Sequence, residues 1–125
     1  MTAKRILVID DEDLIREVVK EMLEAEGYVV STAANGREGL RLYRKEPADL
    51  IITDIFMPEM EGLETIRELL RSSPKVKIVA ISGGGEKGML SFLSHAKRFG
   101  AVQTLEKPFS REELLTIVSE LLTQE

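Results

Sequence analysis

Short aliphatic runs alternate along the chain with longer amphipathic stretches. Four of these runs are rich in β-branched residues, as is typical of strands buried on both faces, and a weaker fifth follows; they cover residues 6–9, 28–30, 50–52, 76–81 and 101–105. The stretches between them carry apolar residues with helical period, as at Leu14, Ile15, Val18, Val19, Met22 and Leu23. The pattern predicts five strands alternating with five helices, of which the fourth covers about residues 86–99.

Residues that begin and end helices agree with this assignment. Gly27 follows the first predicted helix, where a residue with positive φ commonly ends a helix, and Asn35 can cap the second. Ser110 and Glu113 have the spacing of a capping box for the last helix.

Regular alternation of strand and helix indicates an α/β fold with a parallel sheet, right-handed crossovers and helices on both faces. The expected architecture is a doubly wound (βα)5 three-layer sandwich. We find no internal linker or low-complexity tract, so residues 1–125 are expected to form a single domain. The ending, residues 122–125, contains no evident linker and favours a stand-alone protein.

Composition narrows the class of protein. The chain is 43% hydrophobic and 31% charged, which is typical of a globular domain and not of a disordered acidic tail. No apolar run reaches the roughly 18 residues needed to cross a bilayer, so we expect a cytoplasmic protein without membrane contact. A net charge of −5 disfavours direct nucleic acid binding, and the absence of cysteine excludes disulfides and thiolate metal sites.

Polar residues with reactive side chains follow the predicted strands. Asp10, Asp11 and Glu12 follow the first strand, Asp54 ends the third, and the fourth and fifth lead to a serine and a lysine. Asp11 or Glu12 alone could simply favour a helix N-terminus, and Asp54 a turn. In open α/β sheets, however, the carboxyl ends of the strands form the ligand crevice, so these side chains are expected to meet.

Several carboxylates in one crevice repel each other unless a cation compensates them. Oxygen ligands with retained waters are typical of Mg²⁺, with Mn²⁺ as an alternative ion. We expect Asp11 and Asp54 to bind the ion directly and Asp10 to act mainly through water. Asp54 could then be a nucleophile towards phosphorus, with Lys107 stabilising charge and Ser82 donating a hydrogen bond to a phosphoryl oxygen.

The chain resembles the receiver domain of two-component response regulators, the chemotaxis-regulator-like fold, from residue 6 to about 122. The matching motifs are Val8-Ile9-Asp10-Asp11-Glu12, Asp54-Ile55-Phe56-Met57-Pro58 with Gly62, Ile81-Ser82-Gly83, Gly100-Ala101 and Lys107-Pro108-Phe109. The resemblance implies a flavodoxin-like sheet with strand order 2-1-3-4-5. It also implies a phospho-accepting signalling domain with intrinsic self-phosphorylation, and not a turnover enzyme.

Individual roles are carried over from the family. The resemblance implies an acidic pair at Asp10 and Asp11, phosphorylation at Asp54, and a metal contact from the backbone carbonyl of Phe56. Ser82 matches the switch hydroxyl, and Lys107 matches the family lysine, which is usually joined to Pro108 by a cis peptide.

The family resemblance also implies partners. A sensor histidine kinase or a phosphotransfer protein is expected to supply the phosphoryl group, and a small acyl phosphate can replace it. A downstream effector or output domain is expected to read the face formed by the fourth helix, the fifth strand and the last helix. The protein is expected to be a monomer or a weak dimer.

Two positions depart from or modulate the family pattern. Thr104 stands three residues before Lys107, where the family usually has a tyrosine or phenylalanine, so the aromatic rotamer switch is missing and we expect a muted or different output change. The bulky Phe56, two residues after Asp54, is expected to hinder attacking water and to slow autodephosphorylation.

The glycines at 83–85 and 88 lack the spacing of a phosphate-binding loop and indicate a switch loop.

Three alternatives remain open from the residues. A haloacid-dehalogenase-type phosphatase uses similar groups, but the second aspartate of that family is missing after Asp54. A flavin-binding module is disfavoured because acidic strand ends would repel a flavin phosphate. A degenerate receiver that serves only as an interaction surface would not need the complete set of reactive residues.

Overall fold

The computed structural model describes residues 3–55, 62–82 and 102–123, which contain five strands and four helices. The strands are β1 (Arg5–Ile9), β2 (Val29–Ala33), β3 (Leu50–Asp54), β4 (Ile78–Ser82) and β5 (Val102–Glu106). The helices are α1 (Asp13–Glu24), α2 (Gly36–Lys45), α3 (Gly62–Ser72) and the C-terminal helix (Arg111–Thr123). The fourth predicted helix, residues 86–99, lies outside the described residues.

All five strands are parallel and form one sheet in the order β2-β1-β3-β4-β5, which confirms the expected topology. The strand order reverses between β1 and β3, which are neighbours in the sheet. Ile9 pairs with Thr53, so the next residues, Asp10 and Asp54, leave adjacent strands side by side. A crevice at this reversal point is where ligands bind in open α/β sheets.

Two apolar clusters cover the two faces of the sheet. Because side chains alternate across a strand, Leu7 and Ile9 point to one face and Ile6 and Val8 to the other. The first face packs against α2 and α3, and the second against α1 and the C-terminal helix. The predicted three-layer sandwich is therefore confirmed, with an aliphatic core on each side that fixes the strand ends.

The predicted helix ends are also confirmed. Gly27 has a φ of +91°, a conformation that glycine adopts without steric cost. The Asn35 side chain accepts a hydrogen bond from the backbone N–H of Glu38 at 2.8 Å. Ser110 Oγ accepts from the Glu113 N–H at 3.0 Å, and the Glu113 carboxylate accepts from the Ser110 N–H at 3.1 Å.

Among the described residues, three large apolar side chains of the predicted strands and helices are exposed. Leu14 is 68% exposed, Val18 37% and Val29 44%. Leu14 and Val18 flank the buried stripe of α1 and do not lie within it, and Val29 lies on β2, which is an edge strand. Helical period locates an apolar stripe but does not determine how much of it the neighbouring elements cover. Within the described residues, no helix is both long and apolar enough to span a bilayer.

Candidate functional site

Two buried carboxylates lie side by side at the carboxyl edge of the sheet. Asp10 directly follows β1 and is 1% exposed, and Asp54 ends β3 and is 6% exposed. The Asp10 N–H donates to the Ala33 carbonyl of β2 at 3.1 Å, and the Ile55 N–H donates to the Ile81 carbonyl of β4 at 3.0 Å. These backbone bonds extend the sheet through the acidic residues, so both carboxylates are held on a rigid frame.

Gly62 allows a close backbone approach behind Asp54. Its N–H donates to the Ile55 carbonyl at 2.8 Å. A Cβ atom at this position would lie 2.1 Å from the Asp54 carbonyl oxygen and 2.5 Å from the Ile55 Cα. Because both are backbone atoms, no side-chain rotation could relieve the clash, and the start of α3 must be glycine to pack against the end of β3.

The Asp10 carboxylate is incompletely satisfied. Its Oδ1 accepts a hydrogen bond from the Glu12 N–H at 2.9 Å. Its Oδ2 is buried, and no group among the described residues donates a hydrogen bond to it. Burial raises the pKa of Asp10, and the charge of Asp54 raises it further, while the Glu12 N–H and Lys107 act in the opposite direction without cancelling the shift. The charged form of Asp10 is thus held in the fold at a free-energy cost.

Lys107 brings a cation from β5 into this crevice. The Lys107–Pro108 peptide bond is cis. Lys107 Nζ lies 3.3 Å from Asp54 Oδ2, 3.6 Å from Asp10 Oδ2 and 3.2 Å from Glu12 Oε1. Burial acts to lower the pKa of Lys107, but attraction by Asp10 and Asp54 outweighs it, and the pKa lies above its ordinary value. The lysine is therefore fully charged at neutral pH, and it faces three carboxylates.

The remaining negative charge fits a hard cation. One carboxylate oxygen from each of Asp10, Asp11, Glu12 and Asp54 lies within 4.8 Å of the others. Oxygen donors of this kind suit Mg²⁺, and the buried Asp10 Oδ2, which lacks a donor, is oriented as an acceptor that a cation or its water would satisfy. The donor set is therefore compatible with the ion that the sequence predicts.

The structure brings together four of the predicted site residues: Asp10, Asp11, Asp54 and Lys107. Asp11 is exposed, in contrast to its two aspartate neighbours in the cluster.

Two other predicted positions, Ser82 and Thr104, lie on the adjacent strands β4 and β5. Ser82 is the last residue of β4, where its backbone pairs with Glu106, and Thr104 is half-buried on β5 in register with Ala80. Phe56 lies outside the described residues.

Sequence reasoning assigned no role to Glu12, although its carboxylate contacts Lys107. Glu12 is the N-cap residue of α1, but its side chain makes no capping hydrogen bond. The side chain is 58% exposed and is directed to the lysine. Its place immediately after the aspartate pair was a signal, but a helix N-terminus explained an acidic residue there equally well.

Comparisons with known proteins agree with this geometry. The family model for the response regulator receiver domain matches residues 6–119. The chemotaxis protein CheY of Thermotoga maritima is 32% identical over 119 residues, covering 94% of this chain and 97% of that protein. The sensor kinase CckA of Brucella abortus is 34% identical over 122 residues, covering 96% of this chain and 13% of that protein.

A solved structure shows the same fold. The CheY-like response regulator receiver domain protein of Methanospirillum hungatei has a TM-score of 0.89 and 32% identity, with 97% of this chain and 94% of that chain covered. The family match spans most of the chain and includes the strand ends that carry the acidic crevice. The chain belongs to the response regulator receiver domain family, the phospho-accepting domains of two-component signalling.

Proposed function

We propose that Asp54 is the residue that accepts the phosphoryl group. The observation that supports this assignment is a buried carboxylate oxygen, Asp54 Oδ2, which lies 3.3 Å from Lys107 Nζ at the carboxyl edge of the sheet. The oxygen attacks phosphorus, and the P–N bond of a phosphohistidine, or the P–O bond of an acyl phosphate, breaks with its electron pair leaving on the donor. The donor is a sensor histidine kinase, a phosphotransfer protein or a small acyl phosphate.

The surrounding residues stabilise charge on the transferring group. Lys107 is positioned to neutralise one phosphoryl oxygen, and Ser82, at the end of β4, donates a hydrogen bond to another. Asp11 and Asp54 would hold Mg²⁺ or Mn²⁺ directly, Asp10 would act through water, and the carbonyl of Phe56 would add a ligand. The ion supplies further positive charge against the phosphoryl oxygens when it is bound.

Phosphorylation changes the output face through β4 and β5. The new charge attracts the Ser82 end of β4, and the change is read by an effector or output domain on the face formed by the predicted fourth helix, β5 and the C-terminal helix. Thr104 cannot swing an aromatic ring between two positions, so the change at β5 is small. Amide chemical shifts of β5 with and without beryllofluoride test this point, and large shifts around Thr104 would contradict it.

The exposed side of α1 supports a protein donor. Leu14, 68% exposed, lies in the first turn of α1, two residues beyond Glu12 of the acidic cluster. An apolar side chain in this position gives a donor protein a contact that a small acyl phosphate does not need.

We further propose that residues 1–125 act as one receiver domain in the cytoplasm, as a monomer or a weak dimer, and that the aspartyl phosphate hydrolyses slowly.

Intact mass after incubation with acetyl phosphate and Mg²⁺ tests the assignment. The expected result is a single labile phosphate adduct. The adduct should not form when EDTA replaces Mg²⁺ during the incubation, or in the Asp54→Asn variant. Asp49→Asn is the matched control, because Asp49 is an exposed aspartate at the opposite end of β3 from Asp54. Its side chain accepts a hydrogen bond from the Arg5 N–H, which asparagine can also accept, and this variant should retain the adduct. An adduct in Asp54→Asn would overturn the assignment, repeated turnover of phosphate esters would favour a phosphatase, and no adduct in wild type would favour a degenerate receiver.

A further inference from the structure

Helix α2 carries three exposed arginines on one side. Arg37, Arg41 and Arg44 have the spacing i, i+4, i+7, which places them in one row along a helix. They line an open groove together with Asn35 and Glu38. Among residues 3–55, 62–82 and 102–123, none of the three forms an ion pair. This basic row lies on a chain with a net charge of −5, so its sign is opposite to that of the molecule.

Helix α1 carries an acidic row with the same spacing. Glu17, Glu21 and Glu24 are again at i, i+4, i+7, and all three are exposed. No ion pair links any of them to another described residue. The two rows match in length and oppose each other in charge, with Lys20 as the one exposed basic residue of α1 beside the acidic row.

The rows cannot meet within one molecule. Helix α1 packs with the C-terminal helix on one face of the sheet, and α2 packs with α3 on the other. The buried sides of both helices point towards the sheet, so the charged rows point into solvent on opposite sides. Only two copies of the chain can bring them together.

We propose that α2 of one copy docks through Arg37, Arg41 and Arg44 onto Glu17, Glu21 and Glu24 of α1 in a second copy. Arginine is suited to this role because its planar guanidinium can bind a carboxylate with two parallel hydrogen bonds. Each copy carries both rows, so the contact is head-to-tail. Exposed ion pairs are individually weak, and the dissociation constant is on the order of 1 mM.

Other anionic partners fit this surface less well. A membrane-bound helix inserts an apolar side, but the apolar side of α2, with Gly39 and Leu40, is already buried against the sheet. A nucleic acid would meet three arginines flanked by Glu38 and Glu46 on a chain of negative net charge. A short acidic row of matched spacing, such as α1 supplies, requires neither an apolar face nor an extended basic surface.

The contact between the two rows should persist at moderate salt and be lost at high salt. At about 0.1 M salt the screening length is about 10 Å, which weakens repulsion between two acidic chains but leaves ion pairs at contact distance attractive. At about 1 M salt the length falls to about 3 Å, and the contact should be lost. Association that increases at high salt would indicate apolar packing instead and would overturn the proposal.

Sedimentation velocity and amide chemical shifts over a concentration series up to about 1 mM would test it. Wild type is expected to self-associate, with concentration-dependent shifts in α1 and α2. Two triple variants should each remain monomeric. The first combines Arg37→Glu, Arg41→Glu and Arg44→Glu, and the second combines Glu17→Arg, Glu21→Arg and Glu24→Arg. Mixing the two variants should restore association, because the intact acidic α1 of the first complements the intact basic α2 of the second, and the two reversed rows also complement each other.

Controls separate this proposal from its competitors. Circular dichroism checks that the variants fold, and the milder set Arg37→Gln, Arg41→Gln, Arg44→Gln should also lose association. Wild type that stays monomeric throughout the series would overturn the proposal, as would variants that associate like wild type. Binding of polyglutamate, anionic vesicles or duplex DNA to α2 without self-association would likewise overturn it. Phosphorylation by acetyl phosphate should be unchanged in these variants, so the outcome is independent of the proposed role of Asp54.

Discussion

Replacing Asp10 with asparagine should stabilise the protein when no divalent ion is present. Asp10 is 1% exposed, and its Oδ2 receives no hydrogen bond from the described residues. Because burial raises its pKa, the charged carboxylate is disfavoured in the folded state at neutral pH relative to the unfolded chain. Asparagine keeps the acceptor for the Glu12 N–H and removes the buried charge.

The magnitude follows from the balance of two contributions. A buried acceptor without a donor costs about 1–3 kcal/mol. Attraction between Asp10 and Lys107, whose charged atoms are 3.6 Å apart, offsets part of that cost. We therefore expect a gain near the lower limit, about 1 kcal/mol, which corresponds to an increase of about 4 °C in Tm for a domain of this size.

Urea unfolding of wild type and Asp10→Asn in EDTA and in Mg²⁺ measures this gain. In EDTA the variant should be more stable. Mg²⁺ at ten times its Kd should stabilise wild type by about 1.4 kcal/mol and the variant by less. Asp11→Asn is the matched control, since it removes an exposed carboxylate of the same cluster and should give a smaller gain in EDTA. A variant less stable than wild type in EDTA would refute the reasoning.

Three further changes probe other parts of the site. Gly62→Ala places a Cβ 2.1 Å from a backbone oxygen and should cost about 3 kcal/mol in urea unfolding. Gly39→Ala meets the buried Ile9 side chain, which can shift where backbone cannot, and should cost less; equal costs would contradict the backbone clash. Glu12→Gln removes a carboxylate that competes for Lys107, so phosphorylation by acetyl phosphate at saturating Mg²⁺ should be about threefold faster, and a slower rate would argue against competition. Phe56→Asn should accelerate loss of the phosphate about tenfold, as followed by intact mass, and an unchanged lifetime would reject a shielding role.

Much of the fold could be predicted because each local signal agreed with the others. The aliphatic runs became the five strands, and Gly27, Asn35 and Ser110 marked helix ends by chemistry that acts within a few residues. The convergence of Asp10 and Asp54 was predictable for a similar reason, since parallel strands bring their carboxyl ends to one edge.

The features that sequence did not predict depend on neighbours distant in the chain. Leu14 and Val18 have the same apolar character as the buried residues of α1, and only the packing of the C-terminal helix decides which of them it covers. The contact between Glu12 and Lys107 joins residues 95 positions apart, and it depends on where β5 lies in the sheet. The local sequence pattern contains no information about which distant parts of the chain contact these residues.

We expect the charges at the crevice to determine the order in which a cation and a phosphodonor bind. Asp10, Asp54 and Glu12 all lie within 3.6 Å of one ammonium group, so the site keeps a negative charge even with Lys107 in place. A phosphodonor is itself an anion, and it is repelled until further positive charge enters the crevice. Since the aliphatic core holds both strand ends in fixed register, the carboxylates cannot move apart to relieve this repulsion. We therefore expect a cation to bind before phosphoryl transfer, because the same buried charge that destabilises the ion-free protein favours the cation.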